Sequence, residues 1–472
     1  MSPARRTRQP VAEEVADQPE PVVEETAPEP GPEPEPEPEP EAESPAVTLE
    51  PTYSYTDLVG MTPNELRQIA ARAGIEDVQS LKKHDLLMSL LLRLRGEADG
   101  LQRRYGILDV LPDNRGYLRS SSYTSDPRKD VYVAETQIRR FNLRTGDTVS
   151  GPVRPPKENE RYHSLLRVET INGLEPDKIR KRPIFEDLTP VYPTERLYLE
   201  TDHPHNVTGR FMDIITPVGK GQRGLIIAAP KAGKTTIIKQ VANCLTENYP
   251  SLRLIVLLVD ERPEEVTDIA RSVDGEVAAS TFDEMPEHHM KVSDLVLARA
   301  KRLVEMGEDV VILLDSITRL ARASNLTVNP SGRTLSGGLD PSALHRPKRF
   351  FGAARNIEGG GSLTILATIL VETGSRMDDM IYEEFKATGN LDLVLARELS
   401  ERGVFPAIEI QRSNTRHQEL LFTDEEMQSI WQVRRALHSL DTENATETLI
   451  AGIRRTRSNS EFLAMAVETF AR

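Results

Sequence analysis

Apolar positions change their spacing along the chain, and each change predicts a different architecture. Residues 1–50 have almost no large apolar positions to bury. A helical period then starts at Thr62-Pro63-Asn64-Glu65, a capping box with Pro at the first helical position. Leu66, Ile69, Ala70 and Ala73 continue it, and Gly74 ends it. Ser80 is expected to cap a second helix carrying Leu86, Leu87, Leu90, Leu91 and Leu94. This helical module, residues 51–100, has a marginal core and should lean on a neighbour. Residues 104–172 switch to short apolar runs. Strands are expected at 115–119, 130–133, 148–153 and 165–169. Turn signals such as Ser125-Asp126-Pro127 and Thr145-Gly146-Asp147 separate them. That spacing predicts a β-barrel of about five strands, such as an OB-fold. After a linker at 173–190, residues 191–472 alternate apolar strands with helices. The clearest strands are 225–228, 254–259, 310–314 and 363–370, and their near-continuous apolar runs imply a largely parallel sheet buried on both faces. The fold class is therefore multidomain α/β.

Charge sharpens this division. The 472 residues carry a formal −15, but 14 acidic residues against three arginines lie in residues 1–50, which also hold 12 prolines. That composition predicts a disordered acidic extension. Residues 101–182 hold 17 Lys and Arg against 11 Asp and Glu, a basic region inside an acidic protein. Cys244 is the only cysteine, which excludes an intrachain disulfide framework and fits a reducing compartment. No apolar run reaches membrane-spanning length. The arginines near the start are not followed by an apolar h-region. A cytoplasmic location without a membrane partner is expected.

The chemistry concentrates at Ala228-Ala229-Pro230-Lys231-Ala232-Gly233-Lys234-Thr235, between a strand and a helical stretch. This is P-loop order, with Ala228 where the strict form has Gly. The loop from Pro230 to Thr235 and the helix start would turn the backbone N–H groups of Lys231 to Thr235 toward phosphates. Lys234 would neutralise the β- and γ-phosphates, and Thr235 would hold Mg²⁺. The strand 310–314 ends in Asp315, which reads as the Walker B acid for that metal. A second strand ends in Asp260-Glu261-Arg262, where Glu261 is suited to polarise an attacking water. ATP and Mg²⁺ are thus the expected ligands.

At this point the motifs resemble a family. Lys231-Ala-Gly-Lys234, Asp260-Glu-Arg-Pro-Glu-Glu-Val266, Asp315-Ser-Ile-Thr-Arg-Leu320 and Leu344-His-Arg-Pro-Lys-Arg-Phe-Phe-Gly352 are similar to those of bacterial transcription termination factor Rho. Gln137-Ile-Arg-Arg-Phe-Asn-Leu-Arg-Thr-Gly-Asp147, Arg154-Pro-Pro-Lys157 and Glu160-Arg-Tyr162 resemble that family's RNA-binding domain. The resemblance covers residues 52–472. It implies a RecA-like core, a cold-shock-like OB barrel and a homohexameric ring with ATP at subunit interfaces. It implies catalytic roles for Lys234, Glu261, Arg262 and Arg416, the last as an arginine finger given to a neighbour's ATP. It adds Thr208, Phe405 and Thr236 to the adenine pocket, with Thr236 where some members have Met. It implies a primary RNA site at Tyr117, Arg119, Tyr132, Glu160, Arg161 and Tyr162. Bases would stack on the rings, and arginines would track the backbone. Arg115 stands where the family often has an aromatic residue. A second RNA site would line the pore through Arg333, Thr334, Leu335, Ser336 and Gly337 and through Arg376.

The resulting reading is a transcription termination factor: an RNA-dependent ATPase and 5′-to-3′ helicase acting on nascent single-stranded RNA, with RNA polymerase and elongation factors as further partners. A rotary ATP synthase-type subunit and a non-enzymatic RNA-binding protein are the rivals. His288-His289 and His203-Pro204-His205 lack metal-ligand spacing. Cys244 is expected to pack. Trp431, after the capping box Thr423-Asp-Glu-Glu426, is expected in the core.

Overall fold

The computed structural model describes residues 53–94, 101–120, 123–203 and 206–470. The acidic segment 1–50 lies outside the described residues, as do Pro204 and His205.

The helical module comprises Tyr55–Val59, Pro63–Arg72 and Lys83–Leu94. Thr62 accepts from the Glu65 N–H and Glu65 reaches back to Thr62, the reciprocal pairing that fixes the helix start. Ser80 does not cap the third helix. It sits in the preceding turn and donates to the Asp77 carbonyl at 2.8 Å, and the helix begins later, at Lys83. Leu58, Leu66, Leu86, Leu87 and Leu90 form a fully buried core. The module leans on the following domains through polar contacts. The Arg253 guanidinium donates to the Tyr55 hydroxyl at 2.6 Å, which donates to Glu308 at 2.9 Å. Lys82 donates to the Val273 carbonyl at 2.7 Å.

Arg103–Val110, Gly116–Arg119, Val131–Val133, His163–Leu165 and Thr148–Arg154 pair in that order, and the last returns to the first to close a barrel. Thr170–Ile171 adds a short strand on Thr148–Arg154. The expected strand at 165–169 is thus replaced by two flanking pieces. The strand Arg103–Val110 escapes a pattern search because Arg103, Arg104 and Asp109 interrupt its apolar run. A short helix, Glu135–Phe141, spans the barrel wall and buries Ile138.

The larger sheet runs Glu276–Thr281, Arg253–Glu261, Asp309–Asp315, Ser362–Leu370, Arg223–Ala228 and Leu391–Leu395, all parallel, then antiparallel Asn414–Thr415. Alternate residues of each central strand enter two separate cores. Ile226, Val256, Leu258, Val311 and Leu313 pack with the helix Lys234–Asn248 and the C-terminal helices. Leu225, Ile227, Ile255, Leu257 and Ile312 pack under Pro286–Val304 and Ile317–Thr327. Burial on both faces is why these strands read as continuous apolar runs.

Trp431 corrects an expectation. The helix Asp424–His438 buries Met427, Ile430, Val433 and Leu437, and Trp431 falls off that stripe at 56% exposure. Cys244 is buried, and burial pushes its thiol up to about 12.

A buried polar seam joins the domains. Glu276, on the edge strand, accepts from the Tyr123 hydroxyl of the barrel at 2.5 Å and from Arg299 at 3.5 Å. His84 of the helical module stands 3.7 Å away. Burial alone would raise the Glu276 carboxyl; His84, Arg299, Tyr123 and Arg253 outweigh it and hold it at about 2.

Candidate nucleotide site and nucleic-acid interface

The P-loop leaves the C-terminal end of the strand Arg223–Ala228 and enters the helix Lys234–Asn248. Lys231 (φ 66°) and Gly233 (φ 91°) are left-handed, which turns successive N–H groups toward one concavity at the helix start. Lys231 is further pinned because its carbonyl accepts from the Ser400 hydroxyl at 3.0 Å.

The ends of two neighbouring strands deliver the acids. Lys234 donates to Glu261 at 2.6 Å and to both Asp315 oxygens at 2.8 Å. Asp315 also accepts from the Thr368 hydroxyl at 2.7 Å. Asp260 carries a bulge in the pairing with Glu276–Thr281 and has φ 56°. A bulge re-aims the side chains that follow it. Here it leaves Asp260 at the surface, bound by Arg319 at 2.8 Å, and turns Glu261 inward at 2% exposure. Burial and the Asp315 charge raise the Glu261 carboxyl against the opposing pull of Lys234 and Arg319. Burial lowers the Lys234 ammonium, but Asp315 and Glu261 more than restore it, and the net shift is upward. A carboxylate with a raised pKa beside a site for phosphates can accept a proton from water.

Thr235 lies in the first turn of the same helix, and its hydroxyl with Asp315 makes a hard-oxygen donor pair suited to Mg²⁺. Mg²⁺ characteristically takes one or two protein carboxylates and completes its shell with phosphates and water. Among the described residues no group of three or more His, Cys, Asp or Glu could hold a metal ion.

A cavity of about 470 Å³ beside the loop is lined by Thr208, Gly233, Thr236, Phe405, Gln240 and Arg454. The structure therefore brings together three residues expected at the adenine pocket. It adds Gln240 and Arg454, which carry no sequence signal. Thr368 and Arg319 were also missed, because they come from a distant strand and from the helix after Asp315. Arg262 is exposed at the start of the helix Pro263–Ser272.

Arg416 is not in this constellation. It follows Asn414–Thr415, which pairs with Leu391 and Asp392 at the opening end of a strand whose far end, Leu395, pairs with Ala228. Arg416 is exposed at the edge of the sheet remote from the P-loop, and its N–H donates to the Asn390 carbonyl at 2.9 Å. Within one chain Arg416 thus stands apart from the P-loop.

On the barrel, Tyr117 and Tyr132 are direct cross-strand partners. Their rings meet at 5.9 Å, and Tyr162 approaches Tyr117 at 4.9 Å, all edge-on and half-buried. The Arg119 guanidinium lies 5.1 Å from the Tyr117 ring. It is only 5% exposed and is bound by Asp109 at 2.8 Å and Asp130 at 2.5 Å. The expectation that Arg119 tracks the backbone is therefore corrected, since a buried, doubly paired guanidinium is no free phosphate cation. It buttresses Tyr117. Glu160 is held ionised by Arg154 at 2.6 and 2.8 Å, which pulls its carboxyl down to about 2. Arg161 is exposed. Arg115 is exposed and bridged to Asp113 at 2.6 Å.

The two expected pore segments touch. Residues 333–337 are largely exposed, and a Cβ on Gly337 would lie 2.3 Å from the Met377 nitrogen. Arg376 is exposed at the start of the helix Arg376–Lys386. Arg322, on the helix after Asp315, grips Asp378 of that helix with two 2.7 Å bonds. A continuous set of contacts thus joins the nucleotide site to these loops.

Three family models match parts of the chain. Residues 57–93 match the Rho termination factor N-terminal domain, and residues 104–177 the Rho termination factor RNA-binding domain. Residues 209–415 match the nucleotide-binding domain of the ATP synthase alpha/beta family. Transcription termination factor Rho of Bacillus subtilis is 54% identical, over 87% of this chain and 95% of that protein. Those of Neisseria gonorrhoeae and Escherichia coli are 53% and 49% identical, over 85% and 87% of this chain and 96% and 98% of theirs. The chain belongs to the Rho family of transcription termination factors. It carries the family's RNA-binding and ATPase domains and is an ATP hydrolase. The rotary alternative is set aside, because the ATP synthase likeness is confined to the nucleotide-binding domain. No helix among the described residues is long and apolar enough to cross a membrane.

Proposed function

We propose that the chain is an RNA-dependent ATPase and 5′-to-3′ RNA translocase that assembles as a homohexamer and acts on transcription complexes in the cytoplasm. The observation that carries this reading is the union, within one chain, of an edge-packed tyrosine face and the Lys234–Glu261–Asp315 constellation. Lys231 and Lys234 bind phosphate, and binding releases Lys234 from its two carboxylates. Glu261 then orients water and accepts its proton, favoured by its raised pKa. Thr235 and Asp315 hold Mg²⁺, which neutralises phosphate charge when bound. Thr208, Thr236 and Phe405 receive the base, and Arg262 lies beside the phosphates. Arg416 completes the neighbour's site, so turnover requires assembly.

Single-stranded RNA loads by stacking on Tyr117, Tyr132 and Tyr162, with Arg161 at the backbone and Arg119, Glu160 and Arg115 at its borders. Arg376 and the segment Arg333, Thr334, Leu335, Ser336 and Gly337 then meet RNA in the ring's pore. The contact between Arg322 and Asp378 gives hydrolysis a route to that pore. The action on transcription follows the name of the relatives, transcription termination factor. The test is ATP turnover with and without C-rich single-stranded RNA, measured together with assembly mass. Strong stimulation of a hexamer is expected. Equal turnover without RNA, or turnover by a monomer, would refute the reading.

A further inference from the structure

A second positively charged surface lies beside the tyrosine face. A cleft of about 540 Å³ between the helical module and the barrel is lined by Arg103, Arg104, Arg128 and Lys129, with Tyr105 and Asp85. Asp85 is the only carboxylate among the described residues of that lining, and it accepts the Tyr105 hydroxyl at 2.8 Å. Glu169 accounts for Arg103 at 3.1 Å. Among the described residues the other three cations have little carboxylate compensation. Arg104 has no carboxylate partner among the described residues; it donates to the Arg128 carbonyl at 3.4 Å and stands 3.3 Å from His163 Nδ1. Lys129 is exposed and in no ion pair among the described residues. Arg128 reaches Asp126 only at 3.5 Å, with its side chain 93% exposed.

The cleft lies at the ends of the strands that carry Tyr117 and Tyr132, lined there by Ser120 and Lys129. Arg104 touches His163, the neighbour of Tyr162 in sequence. His163 pairs with Val131, which is next to Tyr132 in the strand but turns its side chain to the barrel core, so His163 marks the strand end rather than the tyrosine face itself. Lys129 precedes Tyr132 by three residues, about 10 Å along an extended chain. A strand whose bases stack on the tyrosines would run its phosphates onto these cations.

We infer that this cleft binds the phosphodiester backbone of the same single-stranded RNA, extending its footprint from the barrel onto the boundary with the helical module. The inference rests on the RNA reading of the tyrosine face given above. Arg104, Arg128 and Lys129 supply the phosphate contacts. Such contacts carry no base information, so they strengthen loading without changing base preference.

The test compares the full chain with the double variant Arg104→Glu/Lys129→Glu and with Tyr132→Ala. Binding is measured to a cytidine dinucleotide and to an oligocytidine long enough to pass the tyrosines. In the double variant the long strand should bind about tenfold more weakly, with a salt slope shallower by about 1.4 for two lost contacts. Dinucleotide binding should stay within about twofold, since its short backbone ends before the cleft. The charge-preserving pair Arg104→Lys/Lys129→Arg should bind the long strand as the parent does, which separates charge from folding. Unchanged long-strand affinity and slope in the double variant, with Tyr132→Ala still weakening both ligands, would overturn the cleft and leave the tyrosine reading standing. No loss in Tyr132→Ala would overturn that reading, and the inference with it. Equal loss on both ligands in the double variant would mean that the charges act on the tyrosine face itself, and would also overturn it. Inorganic polyphosphate that binds the parent more tightly than RNA, and loses that binding in the double variant, would overturn the assignment to RNA.

Discussion

The nucleotide site and the tyrosine face both hold a cation between two carboxylates, yet they use it in opposite ways. Lys234 sits between Glu261 and Asp315 with 21% of its side chain exposed, where phosphate can displace the acids. Arg119 sits between Asp109 and Asp130 beneath Tyr117, sealed from solvent. The first pair is a charge held ready for exchange. The second is a fixed support that leaves the ring above it to meet a ligand. Burial decides the difference: a paired cation with an open side can change partners, whereas breaking a buried pair strands a charge at several kcal/mol.

The largest effect should come from outside the nucleotide site's own subunit. Arg416→Ala is expected to bind nucleotide normally and lose about 10³-fold or more in turnover, as for other fingers supplied in trans. Lys234→Ala should lose about 10²- to 10³-fold through the missing charge stabilisation. Mixing the two inactive variants should restore part of the activity, because some mixed interfaces pair an intact Lys234 with an intact Arg416. Absence of any recovery would count against the trans arrangement.

The next effect is on pH dependence. Glu261 works ionised and its pKa is raised, so turnover should fall as pH drops through a value above the ordinary glutamate range. Arg319 favours the ionised form, so Arg319→Ala should move that acid limb to higher pH. A limb that stays in place would remove Glu261 as the titrating base.

The tyrosine face should respond more gently, and only in RNA binding. Tyr132→Ala is expected to cost about 1–3 kcal/mol of RNA affinity, the worth of one stacked base, with nucleotide binding unchanged. Arg115→Ala should change RNA affinity by less than about threefold, because its guanidinium is exposed and engaged by Asp113. A larger loss there would make Arg115 a stacking platform in its own right and blur the contrast between the two regions.

Much of this molecule was legible in one dimension, for a local reason. The capping boxes at Thr62 and Thr423 close within three residues, and the P-loop is a single turn between a strand and a helix. The apolar runs 225–228 and 310–314 announced their strands because both faces are buried. The pattern failed where burial is one-sided or interrupted. Arg103–Val110 carries charged residues inside a strand, Ser80 falls in a turn rather than at a helix start, and Trp431 lies one position off the buried stripe of its helix.

Sequence by itself therefore determined the domain order, the α/β core and the residue types of the nucleotide site, because these are written in spacing. Only the tertiary structure decided which charges meet. Thr368 and Arg319 join Asp315 and Glu261 through sheet pairing and helix packing. Asp109 and Asp130 immobilise Arg119, and Arg416 is carried to the end of the sheet away from its own P-loop. Charge pairing depends on distance and burial, and neither is a property of neighbours along the chain.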